Sequence, residues 1–140
     1  MSSFKIFDIA GSGMAAQSVR LNTVASNLAN ADSVSGSAEG AYRARHPVFE
    51  AVRAQLGAAQ PGAGDAAVRV SGIVEDARAP EMRYEPGNPL ANAEGYVFAP
   101  NVNVVEEMVN MISASRAYQN NVEVMNTSKE LLLATLRLGQ

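Results

Sequence analysis

Catalysis and metal binding need titratable groups that converge, and this chain supplies few that could. His46 is the only histidine, which excludes a His-based catalytic triad or a multi-histidine metal site within one chain. Its place before Pro47 fits a strand edge or a loop, and nothing nearby in the sequence makes it a ligand or a base. Glu106 and Glu107 are adjacent carboxylates, the residue type that general acid–base chemistry uses. They also follow Asn103 at the start of a long helical run, where the helix dipole and an N-cap already account for acidic residues. Gly11-Ser12-Gly13 lacks the third glycine and the preceding strand of a dinucleotide or phosphate loop. There is no cysteine, hence no disulfide framework and no thiol nucleophile, and such a chain suits a reducing or an oxidising compartment equally. Met108, Met111 and Met125 fall on or beside an apolar row and are most simply core. Arg116 and Tyr118 admit two readings: a cation and an aromatic ring aimed at a neighbouring subunit, or a solvated charge beside a seam residue. No nucleophile with its base, no ligand cluster and no phosphate cradle emerges, so neither an enzyme nor a metal or cofactor is expected.

The elements that would carry these residues are two helices. Residues 104–138 contain neither glycine nor proline. Val104, Met111, Tyr118, Met125 and Leu132 form a row of period seven, and Met108, Ser115, Val122, Lys129 and Leu136 form the next, the pattern of a coiled-coil seam. Asn103 is the expected cap, with Glu106 placed to reach back as in a capping box, and Gly139 marks the stop. Such a helix is roughly 50 Å long at 1.5 Å per residue, longer than a small domain covers with its own core. A second heptad row, Phe7, Met14, Leu21 and Leu28, runs through residues 6–31, flanked by Phe4, Gly11, Ser18 and Ala25. Gly11 and Gly13 each lower helix propensity by about 1 kcal/mol relative to alanine, which allows a start as late as Ser12. The polar face of this helix carries Asn22, Ser26, Asn27 and Asn30 with few charges, which suits contact with other protein better than contact with solvent.

All six prolines lie between Pro47 and Pro100, separating two helical ends from a non-helical middle. Residues 31–40 are small and polar and read as a loop. Residues 48–54 and 67–75 have strand-like content around a Gly, Ala, Pro and Gln-rich link at 57–64. Residues 82–85 and 95–98 are weaker strands around the turn-dense Pro86, Gly87, Asn88 and Pro89. The expected fold is therefore α+β and mainly α: an antiparallel, coiled-coil-like pair of long N- and C-terminal helices with a small β-hairpin-rich insert. Residues 1–34 and 101–140 would form one helical domain and residues 35–100 the loop and insert.

The 140 residues, 47% of them hydrophobic, suffice for one compact domain. The net charge of -3 gives no basic footprint for nucleic acid. No window approaches a membrane span, and residues 1–16 lack the apolar core of a cleaved signal peptide, so composition alone points to the cytoplasm. The N-terminal seam is about a third shorter than the C-terminal one, so part of the long helix would remain for other subunits to cover. The free chain is accordingly expected to be partly disordered at both ends and to order on assembly.

The residues also carry a resemblance. The string from Leu21 and Asn22 through Asn27-Leu28-Ala29-Asn30-Ala31 resembles the N-terminal signature of the bacterial flagellar rod and hook family. Asn103-Val104-Val105-Glu106-Glu107-Met108-Val109, followed by Ala114-Ser115-Arg116-Ala117-Tyr118-Gln119-Asn120-Asn121, resembles its C-terminal signature. Tyr84-Glu85-Pro86-Gly87-Asn88-Pro89-Leu90, with Gly95-Tyr96-Val97, is similar to the proximal rod branch in particular. The resemblance implies a structural rod subunit, part of the drive shaft that crosses the periplasm and carries torque from motor to hook. It also implies export in an unfolded state by the flagellar type III apparatus without a cleaved signal, which replaces the cytoplasmic expectation. The implied partners are other copies of the chain, other rod subunits, and basal-body ring and export apparatus proteins, with no nucleic acid and no membrane insertion. The expected assembly interface comprises Met14, Leu21, Asn22, Asn27, Leu28, Asn30, Met108, Met111, Arg116, Tyr118, Asn121, Val122, Met125 and Leu132. One departure stands out: extra residues separate Ser35 and Gly36 from Tyr42-Arg43, so a longer loop with different neighbour contacts is expected. The competing readings are a soluble coiled-coil adaptor or export chaperone, a distal rod or hook relative, and a peptidoglycan-cleaving enzyme. The last requires a general acid and a second carboxylate in a cleft.

Overall fold

The computed structural model describes residues 3–53 and 66–138. Two long helices, α1 (Ser3–Ala29) and α2 (Val104–Leu138), bracket four strands, β1 (Arg45–Arg53), β2 (Ala66–Glu75), β3 (Glu81–Tyr84) and β4 (Tyr96–Ala99). The α+β, mainly helical architecture read from the sequence is therefore the one observed. The stop expected at Gly139, the link expected at 57–64 and the side chain of Phe4 lie outside the described residues.

Both glycines of α1 sit inside the helix, which begins at Ser3 rather than near Ser12. Propensity loses here to packing. A Cβ on Gly13 would stand 3.0 Å from the Asn121 amide of α2, so a bare backbone is what lets the helices approach at this point. The helices run antiparallel: Asn27 meets Glu107 near one end, and Gly13 meets Asn121 further along. Nearer the start of α1, Ile6 shares a groove with Thr127 and Ser128. α2 is the longer helix, 35 residues against 27, and its last two turns run past the start of α1. Asn103 caps α2 as expected, its Oδ1 accepting from the backbone N–H groups of Val105 at 3.0 Å and Glu106 at 3.3 Å.

The seam differs from the sequence reading by one residue on each helix. Ile6, Gly13, Arg20 and Asn27 face α2, and Glu107, Ala114, Asn121 and Ser128 face α1, with Ala114 fully buried. The more apolar rows, Phe7, Met14, Leu21 and Leu28 on α1 and Met111, Met125 and Leu132 on α2, are only half-buried along the flanks. Hydrophobicity picks out the apolar rows, but the close approach at Gly13 and Ala114 and the hydrogen bonds from Arg20 and Asn27 across the helix pair lie on the neighbouring rows.

Each strand pair is antiparallel, and the two pairs form separate sheets. The β1–β2 ribbon lies along α1. At one end the Arg45 N–H donates to Asn27 Oδ1 at 2.9 Å, and at the other the Val68 N–H donates to Ser12 Oγ at 3.1 Å. The spans agree, since 15 helical residues rise about 22 Å and six strand residues about 20 Å. A register shift between Val48 and Phe49 re-aims the strand midway. In the smaller sheet Gly95 adopts φ +82, a left-handed turn that brings Tyr96 edge-on to Tyr84 with ring centroids 5.2 Å apart. The long loop after α1 joins this sheet, because Ser35 exchanges both backbone hydrogen bonds with Phe98.

The hydrophobic core is thin. The buried apolar side chains among the described residues are Ala10, Ala16, Val24, Ala41, Ala44, Val97, Ala99 and Ala114. Alanine and valine bury little area, so the isolated fold draws much of its definition from polar contacts.

Candidate assembly site

The polar contacts concentrate where the end of α1 meets the start of α2. Asn27, with no accessible surface, has its whole amide engaged. Its Oδ1 accepts from Tyr42 Oη and from the Arg45 N–H, both at 2.9 Å. Its Nδ2 donates to the Arg45 carbonyl at 2.9 Å and to Glu107 Oε2 at 3.0 Å. Asparagine suits this position because it offers two donors and an acceptor oxygen on a short stem. The sequence reading put Asn27 on an outward face, whereas it is the most deeply buried polar residue among the described residues. Glu107 is likewise more than a helix-dipole residue, being 4% exposed and bonded across the helix pair. Asn30 also works within the subunit, its Nδ2 closing the end of α1 on the Ser26 carbonyl at 2.8 Å.

A second junction sits beside the first. Asn101 Oδ1 accepts from the Ala44 N–H at 2.8 Å, and its Nδ2 donates to the Arg78 carbonyl at 2.8 Å. Asp76 anchors the same corner, accepting from the Arg78 N–H and from Arg78 Nε, both at 2.8 Å. Asn101 and Asp76 escape a reading of the sequence, because neither belongs to a periodic pattern. His46 takes part only as a neighbour, with Nε2 3.8 Å from Asp76 Oδ2.

The hydrogen bonds from the Arg78 side chain, and then from its backbone, lower the Asp76 carboxyl from 3.8 to about 2 against an opposing effect of burial. A depressed carboxyl stabilises the fold above its unfolded value and ceases to do so as pH falls through its folded value. The junction is thus expected to persist below pH 3.8 and to release near pH 2. Followed by NMR, the Arg78 Nε–H resonance should titrate near pH 2. In Asp76→Asn it should not titrate at all.

The remaining expected interface residues fall into three groups. Asn22, Arg116 and Tyr118 are exposed. Arg116 shares a shallow groove with Val109, Ile112 and Asn120. Met14, Leu21, Leu28, Met111, Val122, Met125 and Leu132 are half-buried, and Asn121 lies against Gly13. Met108 is 55% exposed, outside the α1–α2 seam, and joins Val105, Val109 and Ile112 in an uncovered apolar stripe on the first turns of α2. A second uncovered region, Leu131, Leu133, Leu136 and Leu138, lies on the excess length of α2 that the sequence reading left for other subunits to cover, although of that end only Leu132 was placed in the expected interface. Apolar surface of this extent on a small domain marks a protein contact.

Comparison with known proteins accounts for this arrangement. Residues 7–36 match the family described as flagella basal body rod protein. Residues 93–138 match the family described as flagellar basal body rod FlgEFG protein C-terminal. These two stretches meet across the Asn27–Glu107 bond. Over 140 residues, covering all of both chains, the protein is 56% identical to the flagellar basal-body rod protein FlgC of Yersinia enterocolitica and equally so to that of Salmonella typhimurium. The corresponding protein of Bacillus subtilis is 36% identical, again over the whole of both chains. The uncovered apolar length of α2 is thus the surface of a subunit made for a larger structure, and the chain belongs to the flagellar basal-body rod protein family.

Proposed function

We propose that this chain is a proximal rod subunit whose paired helices form part of the wall of a hollow shaft transmitting torque from motor to hook. The observation that carries the reading is the pair of apolar surfaces on α2, around Val105 to Ile112 and around Leu131 to Leu138, that α1 leaves uncovered. Residues 1–34 and 101–140 act as one helical unit that packs against other copies and against other rod subunits. Residues 35–100 hold the outer loop and sheets. Tyr118, Arg116 and the half-buried flank of Met111, Met125 and Leu132 contribute to the contact with neighbours. The chain reaches the rod through the flagellar type III apparatus, unfolded and without a cleaved signal, and completes its core on joining.

Basal bodies isolated from cells expressing a tagged chain test this. The tag is expected between the inner membrane ring and the distal rod. A chain found only in the soluble fraction of flagellated cells would refute the reading.

A further inference from the structure

We infer that the buried Asn27–Glu107 pair selects the register of the antiparallel helices and thereby fixes how far α2 projects beyond α1. The seam alone cannot do this. In the observed register Ile6 lies beside Ser128, Gly13 against Asn121 and Asn27 against Glu107. A slip of one heptad would set Ile6 beside Thr135, Gly13 against Ser128 and Asn27 against Ala114. Ser128 and Ala114 are smaller than the Asn121 and Glu107 they would replace, and Thr135 is one methyl larger than Ser128 beside an open groove, so size at these three points does not forbid the slip. It would also cover part of the exposed apolar end of α2 in exchange for an equal length uncovered at its start, so burial does not decide strongly between the two alignments.

What opposes the slip is polar. Opposite Ala114, the Asn27 amide would lose its acceptor on α2, and Glu107 would lose its donor from α1. A buried polar group without a partner is far costlier than an apolar mismatch, and for that reason a single polar pair in a helix seam sets register. Arg20, whose Nη2 donates to Asn110 Oδ1 at 2.9 Å, adds a weaker restraint of the same kind.

Because the chain has no cysteine, introduced thiols report the register without background. The test compares Ile6→Cys/Ser128→Cys with Ile6→Cys/Thr135→Cys in the full chain, at a concentration where helical content has reached its plateau. In the parent background the first pair should form the disulfide and the second should not. With Asn27→Leu and Glu107→Leu together, helical content should persist while the yield of the second disulfide relative to the first rises about fivefold or more. Glu107→Gln retains an acceptor for Asn27 and should keep the parent pattern. Glu107→Ala, which leaves the loop contacts of Asn27 in place, should shift the ratio in the same direction by a smaller factor. An unchanged ratio in the double leucine variant would show that the connecting segment alone sets register and would overturn the inference. So would loss of both disulfides in the double leucine and Glu107→Ala variants, since the pair would then hold the helices together without choosing between alignments. Equal disulfide yields in the parent background would also overturn it.

Discussion

Asn27→Ala is expected to cost about 3–5 kcal/mol of folding stability, a large fraction of the roughly 5–15 kcal/mol that a folded domain possesses. The side chain has no accessible surface and serves four partners, so alanine leaves a Glu107 carboxylate oxygen, Tyr42 Oη and both backbone polar groups of Arg45 short of a partner at once. The effects are not additive, because water can enter the space left by the amide, but one buried carboxylate stripped of its donor is enough to dominate. Asn27→Asp should be equally damaging, since the second oxygen cannot donate and would face Glu107. Urea unfolding followed by circular dichroism measures the loss, and Tyr42→Phe, which removes one of the four bonds, should cost about 1 kcal/mol. A midpoint for Asn27→Ala within error of the parent would refute the role given to this residue.

The second large effect concerns assembly. Leu131→Asp with Leu136→Asp should abolish rod formation and swimming while leaving the subunit's own stability within about 0.5 kcal/mol of the parent. Both leucines are mainly exposed in the isolated subunit and lie on the part of α2 that runs past α1, so their loss leaves no cavity within it. In the assembled rod each would be covered, and each aspartate would exchange about 1.5–3 kcal/mol of favourable burial for the cost of a desolvated charge. Tyr118→Asp and Leu28→Asp, on the flanks, are expected to block assembly in the same way. The measurements are motility in soft agar and the presence of rods in purified basal bodies. A motile strain carrying the double aspartate change would remove the apolar end of α2 from the interface.

The elements that were legible in the sequence are those with a period. The start of α2 at an asparagine cap and its long course followed from a run free of glycine and proline, and the strands from β-branched residues between turn signals. The strings at the two ends carry the family resemblance without any reference to the fold. What periodicity could not supply was the facing of the helices. It points to Met14, Leu21 and Met108, because apolar rows are what it detects, and it misses Gly13 and Ala114, whose value lies in their small size. The Asn27 hub was hidden for a different reason. Its partners come from two separate segments, Tyr42 and Arg45 at the entry to β1 and Glu107 on α2, and only the fold brings them to one amide. Asn27 was visible as part of a signature string, but its placement inside the subunit was not.

The close approach at Gly13 has a mechanical consequence. Helices separated by long apolar side chains can shear past one another at modest cost, because dispersion contacts are re-made as rotamers hop. A pair brought together over glycine and alanine, and crossed by directional hydrogen bonds from Asn27 and Arg20, lacks that compliance. Load applied along such a pair is carried by bent hydrogen bonds and backbone contact, not by yielding side chains. The contacts at Gly13, Arg20 and Asn27 should therefore make the helix pair resist shear along its axis, a resistance that the uncovered leucine-rich end, beyond the start of α1, does not share.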